Sequence, residues 1–238
     1  MPLETVDQSP VDPAFVQNPY PFYSRLRAAG DFVVWRDYGL PVATTHEAVM
    51  AVLKHRDLGR EIPEDAQEPP RPELAPFYAV EAHSMLEREP PVHTRLRGLV
   101  LKAFTRRRIY HLAPEISAIC DRLIADFPDG DFDLLTAFAQ QVPVLVIARL
   151  LGVPAEMAPQ LLDWSNRMVA MYQARRTPEI ENDGAAAAGE FTLFLRDYVE
   201  TRRTTPQDDL ISHLIAAEEN GEHLSTDELI STCILLLN

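Results

Sequence analysis

The stretch EPPVHTRLRGLVLKAFTRRR, residues 89–108, decides the fold assignment because it joins a helix entrance to a basic stripe and an apolar stripe. Two prolines, Pro90 and Pro91, suit the start of a helix. Apolar side chains then recur at helical spacing, at Leu96, Leu99, Val100, Ala103 and Phe104. The stretch therefore predicts a helix with one buried face and one strongly basic face.

His93 and Arg97 are the candidate ligand-binding pair of this helix. They lie four residues apart, so their side chains project from one face and can bind a single anion together. His93 is also near the helix start, where the helix dipole favours negative charge. A carboxylate and a phosphate both fit this arrangement, and an ordinary solvated basic face is the alternative.

The charge distribution sets this segment apart from the rest of the chain. Six Lys and Arg and no Asp or Glu lie between Pro90 and Pro114, in a chain of 238 residues with a net charge of −14. The segment contributes +6, which leaves −20 for the remainder. An acidic body repels nucleic acid, so we expect no general DNA or RNA function. A basic helix that binds nucleic acid is the least favoured of the interpretations considered for this chain.

Composition predicts an ordinary globular protein, with 46% hydrophobic and 24% charged residues. No signal peptide is recognisable near Met1, and no apolar run reaches the roughly 18 residues of a membrane span. We therefore expect a cytoplasmic protein with no membrane partner. Cys120 and Cys233 form no disulfide framework or metal cluster and are expected to be buried structural thiols.

The chain is predicted to be mainly α, with a small β-sheet near the amino terminus. FVVW (32–35) and PVAT (41–44) predict a β-hairpin, and the proline-dense residues 61–76 predict a loop. FDLL (132–135) could form a short strand, and the polar and then small residues 175–188 predict a mobile connection. Helices are expected over residues 116–127, 143–152, 160–172, 189–202 and 208–220.

The last helix has a clear start. Ser225 and Glu228 have the spacing of a capping box, and Leu224 and Leu229 can form a hydrophobic staple. No glycine, proline or basic turn closes it before Asn238. We expect a chain cut inside a longer helix, and a natural, fraying carboxy-terminal helix is the alternative.

These motifs together resemble the amino-terminal part of bacterial, soluble cytochromes P-450, the haem-thiolate monooxygenases. Pro-Pro-x-His-Thr-x-x-Arg followed by Phe-Thr resembles the family's third helix. NPYPFYSRLRAAG (18–30) resembles its first helix, LLGVP (150–154) the end of a middle helix, and LSTDELISTCILLLN (224–238) the opening of its central helix. The resemblance covers residues 1–238 as one P-450 domain portion, although Glu89 replaces the family's usual Asp.

The resemblance implies haem b as the cofactor, with His93 and Arg97 paired to its propionates and Phe104 packed beneath. It implies that Met85, Leu86, Leu235 and Asn238 line the substrate pocket, bordered by residues 72–86 and 168–189. It also implies an acidic, ferredoxin-type electron donor. That donor would dock on a basic surface formed by Arg95, Lys102, Arg106, Arg107 and Arg108.

The implied reaction is insertion of one oxygen atom from O₂ into a small organic, mainly apolar substrate. Members of the family use a cysteine thiolate as the axial iron ligand, in a glycine-rich loop downstream of the central helix. Neither Cys120 nor Cys233 has that context, so the printed chain is expected to hold no catalytic or metal-ligating residue and to be inactive alone. A catalytically silent helical binding or interaction module without haem is the alternative.

Overall fold

A computed structural model describes residues 2–67, 69–104, 106–174, 176–217 and 221–238. The chain divides into two compact units, Met1–Gly59 and Arg60–Asn238. Within the described residues no helix is both long enough and apolar enough to cross a membrane.

The first unit is a small three-stranded sheet with three helices. Strand β2 (Phe32–Trp35) pairs in parallel with β1 (Glu4–Val6) and antiparallel with β3 (Leu40–Ala43). The predicted hairpin is therefore confirmed, and β1 is a strand that the sequence pattern did not indicate. Its helices are α1 (Pro13–Gln17), α2 (Tyr20–Ala29) and α3 (His46–Leu53), and its core consists of Phe22, Leu26, Val33 and Trp35.

In its described part the second unit consists of helices joined by loops and short turns. Its helices are α4 (Ala75–Glu81), α5 (Val92–Ala103), α6 (Arg106–Ala125), α7 (Gln141–Leu151), α8 (Ala158–Val169), α9 (Pro178–Thr204), α10 (Leu210–Ala216) and α11 (Thr226–Leu237). Short 3-10 turns occur at Glu64–Ala66, Pro72–Leu74, Met85–Glu87, Ala155–Met157 and Ala170–Tyr172. The helix α4 begins inside the predicted proline-rich loop, since the last proline of that run, Pro76, is tolerated in a first helical turn.

The basic stretch forms two helices. The first, α5, ends at Ala103 with Phe104 as its C-cap in a non-helical conformation, and α6 begins at Arg106. Arg106, Arg107 and Arg108 therefore open a different helix from the one that carries His93 and Arg97.

Helix α9 corrects the predicted mobile connection. Thr177 caps it by accepting a hydrogen bond from the Ile180 N–H, and the helix then runs without interruption from Pro178 to Thr204. Ala185, Ala187 and Ala188 are fully buried or nearly so. These small residues allow close helix packing, so the run of alanines reflects burial against neighbouring helices rather than a mobile connection.

The FDLL prediction of a strand was also wrong. A bend precedes Leu134, and residues Leu135–Ala139 form a π-helical turn. The Asp133 carboxylate accepts from the Leu135 N–H at 2.9 Å and from the Thr136 hydroxyl at 2.6 Å. These local bonds favour a turn over an extended strand.

The core of the second unit is centred on α9, which packs against α4, α8 and α11. Fully buried side chains from several helices fill it, including Leu161, Met168, Phe191, Leu195, Leu210, Leu214 and Leu229. Trp164 stacks on Phe191 with ring centroids 5.1 Å apart. The packing fixes α11 against the helices that precede it.

A buried polar cluster joins the ends of α7 and α9 to the start of α10. Arg202 Nε lies 2.5 Å from Asp209 Oδ2, and its Nη2 donates to the Gly152 carbonyl at 3.0 Å. The Tyr198 hydroxyl donates to the same carbonyl, and Asp209 Oδ1 caps α10 by accepting from the Ser212 N–H at 2.7 Å. Each charged group in this cluster is thus paired.

Candidate cofactor and substrate site

Helix α5 places its two candidate ligand-binding side chains beside the core. Leu96, Leu99 and Ala103 are buried, as the apolar spacing predicts. A second stripe of the same helix lies beside this buried face. It begins with His93, which is half-buried, and continues one turn later with Arg97, which is exposed. The His93 and Arg97 side chains therefore share a helix edge, next to the buried face.

Neither side chain is engaged elsewhere within the described part of the chain. The His93 imidazole and the Arg97 guanidinium have no hydrogen-bond or ion-pair partner among the described residues. By contrast, the neighbouring Arg95 is paired on the other side of the helix. Two unengaged donors one turn apart are chemically suited to carboxylate groups, and so the residues present fit the propionate arms of a haem.

Phe104 extends the same stripe at the carboxyl end of α5. Its ring is half-buried and packs against the core cluster of the second unit, as does Val100 one turn before it. An apolar surface therefore continues directly from the His93 and Arg97 side chains. A flat, mainly apolar ligand with acidic groups at one edge would match this order of side chains.

Arg95 lies in a different environment from the one predicted for it. Its guanidinium forms an ion pair with Glu228 in the first turn of α11, and its Nε lies 3.7 Å from Glu222. Burial alone would raise the pKa of Glu228, but hydrogen bonds from Arg95 and from the Ser225 backbone outweigh it and hold that pKa below its usual value. Arg95 thus connects the helix that carries His93 to the start of α11.

The same glutamate completes the predicted capping box. The Ser225 N–H donates to Glu228 Oε2 at 2.8 Å, and the Glu228 N–H donates to Ser225 Oγ at 3.2 Å. The prediction of a capped start for α11 is confirmed. Sequence reasoning missed the further contact of Glu228 with Arg95, because no local pattern reports it.

The remaining basic side chains are described only in part. Lys102 is exposed near the end of α5. The side chains of Arg106, Arg107 and Arg108 lie outside the described part of the chain, so their assignment to a partner surface stays a prediction.

The four candidate pocket residues come from two elements. Met85 and Leu86 lie in the 3-10 turn Met85–Glu87, which Ser84 caps by accepting from the Leu86 N–H at 3.3 Å. Met85 is half-buried against the core, whereas Leu86 is exposed. Leu235, in the last described turns of α11, is half-buried.

Asn238 is exposed, and its side chain is close enough to the Tyr172 hydroxyl to lower the pKa of that group slightly. The Tyr172 hydroxyl in turn donates to Glu81 Oε1 at 2.9 Å. Burial raises the pKa of Glu81, although the bond from Tyr172 opposes the shift, and burial together with Glu81 raises the pKa of Tyr172.

The two segments predicted to border the pocket contact each other. Besides the Tyr172–Glu81 bond, Arg176 Nη2 donates to the Tyr78 hydroxyl at 3.3 Å, and Arg71, which immediately precedes the first segment, forms an ion pair with Glu181. The Phe77 and Tyr172 rings meet at a centroid distance of 5.8 Å. We define this set of contacts as the 71–81/172–181 clasp.

No axial metal ligand is evident in the described residues. Cys233 is fully buried in α11, where desolvation raises the pKa of its thiol to about 12. A thiol held protonated in this way is a poor metal ligand. Cys120 is half-buried rather than fully buried, and the described residues contain no cluster of three or more His, Cys, Asp or Glu that could hold a metal ion.

Comparison with known proteins identifies relatives of this chain by sequence and by structure. No family model matches the chain. It is 38% identical over 234 residues to vitamin D(3) 25-hydroxylase of Pseudonocardia autotrophica, covering 94% of this chain and 54% of that protein. It is 34% identical over 249 residues to cytochrome P450 107B1 of Saccharopolyspora erythraea, covering 98% of this chain and 58% of that protein.

Solved structures agree with these sequence relatives. P450BioI, crystallised with an acyl carrier protein carrying hexadec-9Z-enoic acid, superimposes with a TM-score of 0.84 at 28% identity. The match covers 94% of this chain and 57% of the P450BioI chain. The chain therefore spans a little over half the length of the proteins it matches.

Proposed function

Because this chain belongs to the cytochrome P450 family, we propose that it is the amino-terminal part of a haem-dependent monooxygenase. The reaction would insert one oxygen atom from O₂ into a small organic substrate. The observation that carries the proposal is the pair of unengaged hydrogen-bond donors, His93 and Arg97, beside the apolar stripe of α5. The mainly helical fold with a small sheet near the amino terminus agrees with the family.

Haem, when bound, supplies the iron that activates O₂ and the porphyrin that this chain has to orient. His93 and Arg97 would each donate a charge-assisted hydrogen bond to a propionate. Each such bond contributes about 1.5–3 kcal/mol when it is sheltered from water. Phe104 would pack against the ring system and exclude water, and none of the three side chains touches the iron in this proposal.

The proposed substrate side is mainly apolar. Met85, Leu86 and Leu235 would provide van der Waals contacts, and Asn238 would provide a polar group near the end of α11. A small organic and mostly apolar substrate suits this lining. The names of the relatives describe those proteins, and they do not select a particular substrate for this chain.

We also propose that an acidic, ferredoxin-type electron donor docks on the basic residues Lys102 and Arg106–Arg108. A segment of charge +6 on a body of −20 supports this proposal, because complementary charge accelerates encounter. Arg95 is occupied by Glu228, so it makes a smaller contribution in this scheme. Glutamate at positions 106–108 should lower the association rate with an acidic ferredoxin at low salt, whereas Arg27→Glu should not. Equal rates would remove the docking proposal.

The haem proposal can be tested on the chain itself by titration with haemin and with haemin dimethyl ester. The ester keeps the ring but lacks the charged propionates. His93→Ala and Arg97→Ala should each weaken haemin binding at least roughly tenfold, which corresponds to about 1.4 kcal/mol. Both variants should leave the affinity for the ester unchanged.

Two outcomes would contradict this assignment. If the substitutions weakened haemin and ester binding equally, their effect would be structural rather than a loss of propionate contacts. If wild-type chain bound neither ligand, the silent helical module would become the better reading. The carbon monoxide complex distinguishes the readings further, because thiolate-ligated haem gives a long-wavelength absorption band. We expect that band only when a further cysteine ligand is supplied.

A further inference from the structure

The first turn of α5 lacks the local features that usually stabilise a helix start. Its N-cap is Pro91, whose side chain has no hydrogen-bonding group, and the described first turn contains no acidic residue. The start of the helix instead carries His93, Arg95 and Arg97, although the helix dipole favours negative charge there. The position of His93 therefore depends on contacts that come from elsewhere in the fold.

Arg95 supplies such a contact from the opposite side of the helix. It is two residues from both His93 and Arg97, which is a rotation of about 200° around the helix axis. Its Nη2 donates to Glu228 Oε1, and its Nη1 lies 3.5 Å from Glu228 Oε2. An arginine that contacts both oxygens of a carboxylate fixes direction as well as distance. The pair therefore restrains rotation of α5 about its own axis.

The acidic partner of Arg95 is itself held in place. Glu228 Oε2 accepts from the Ser225 N–H at 2.8 Å, and the next residue of α11, Leu229, is fully buried in the core. The Glu228 side chain is only 14% exposed, and that of Arg95 is 29% exposed. The carboxylate is thus a fixed anchor for the start of α5, and it is largely shielded from solvent.

Glu222 provides a matched comparison. Its carboxylate lies 3.7 Å from Arg95 Nε, but its side chain is 58% exposed. Exposed ion pairs contribute little to stability, because water and salt screen them. Glu222 therefore places the same charge beside the same guanidinium without serving as a fixed anchor.

We propose that Arg95 and Glu228 are positioning residues, which hold the first turn of α5 so that His93 and Arg97 face the haem propionates. Neither Arg95 nor Glu228 touches haem in this scheme. The inference rests on the proposed function, since it requires His93 and Arg97 to bind the propionates. It gives Arg95 a role different from the predicted one of docking an electron donor.

Haemin titration of the chain distinguishes positioning from a general effect of charge. Glu228→Gln removes a negative charge, so charge alone would strengthen the binding of anionic haemin. Positioning predicts the opposite, roughly threefold weaker binding, because only the fraction of chains with an ordered first turn can bind both propionates. Glutamine also serves in a capping box, so the start of α11 is retained. Haemin dimethyl ester, which lacks the charged propionates, should bind the variant and the wild-type chain equally.

Two further variants separate the contact from the charge. Glu222→Gln removes the same charge near Arg95 and should not weaken haemin binding. Arg95→Gln combined with Glu228→Gln leaves the net charge unchanged but removes the ion pair. The combined variant should weaken haemin binding roughly threefold, as Glu228→Gln does, and leave ester binding unchanged.

The proposal fails if Glu228→Gln strengthens haemin binding or leaves it unchanged. It also fails if Glu228→Gln weakens haemin and ester binding by the same factor, or if Glu222→Gln weakens haemin binding as much. These results differ from a failure of the proposed function, in which the wild-type chain would bind haemin no more tightly than its ester. In that case Arg95 and Glu228 would have no propionate contacts to position, and both proposals would fall.

Discussion

Replacing Asp209 with asparagine should destabilise the chain by much more than the loss of an exposed ion pair. The Arg202 and Asp209 side chains are only 8% and 4% exposed, and the ion pair between them is 2.5 Å long. Asparagine still offers an oxygen to the Ser212 N–H, so the cap of α10 is retained. The substitution therefore keeps the cap, replaces the oxygen that accepts from Arg202 Nε by an NH2 donor, and leaves the Arg202 guanidinium buried without its counter-ion.

The expected magnitude follows from that burial. Breaking a buried pair by removing one partner costs about 3–5 kcal/mol, against a total stability of about 5–15 kcal/mol for a domain. Asp209→Ala should cost about 1 kcal/mol more, because the cap is lost as well. Glu200→Gln breaks the exposed pair with Arg203, where the side chains are 60% and 37% exposed, and should cost at most about 1 kcal/mol.

Urea unfolding followed by far-ultraviolet circular dichroism measures these differences. In a double-mutant cycle, Arg202→Met combined with Asp209→Asn should cost less than the sum of the two single substitutions, because neither charge is left unpaired. If Asp209→Asn cost no more than Glu200→Gln, Arg202 would have to be hydrated in the variant. That result would refute the inference that water cannot replace the lost carboxylate beside the buried Arg202 guanidinium.

Three further predictions concern other close contacts. Gly152→Ala should lower the free energy of unfolding by more than about 1 kcal/mol, because φ is +80° and a Cβ would lie 2.4 Å from Asp209 Oδ2. Gly184→Ala should lower the melting temperature, since a Cβ would lie 2.5 Å from Met171 Cγ and the surrounding core is closely packed. The pKa of Glu228 is lower in the folded chain than in the unfolded chain. Its carboxylate therefore stabilises the fold at pH values above the unfolded-state pKa, and this contribution is lost as the pH falls through the folded-state pKa. Glu228→Gln should therefore flatten the dependence of stability on pH in the acid range, measured by urea titration at several pH values.

The sequence predicted those elements whose ends are determined by turn and cap residues. The hairpin, the capped start of α11 and the end of α7 at Gly152 were all predicted from turn and cap residues. The break between α5 and α6 was not, because both sides have helical periodicity and no glycine or proline marks the junction. The first turns of α9 were missed for a related reason, since burial of its alanines depends on neighbouring helices.

The same distinction between local and long-range contacts applies to the candidate site. The spacing of His93 and Arg97 follows from helix geometry, so sequence alone could place them on one edge. The contact of Arg95 with Glu228 joins residues 133 positions apart, and no local pattern encodes such a distance. The Tyr172–Glu81 bond, across 91 positions, was beyond prediction for the same reason.

The 71–81/172–181 clasp has a kinetic consequence. Its polar contacts all include a carboxyl or guanidinium group, and most of their side chains border solvent. Separating the two segments exchanges these bonds for bonds to water, at a cost that dissolved salt reduces. Ligands that pass between the segments should therefore exchange faster as ionic strength rises, and ionic strength alone could alter their residence time without any change of sequence.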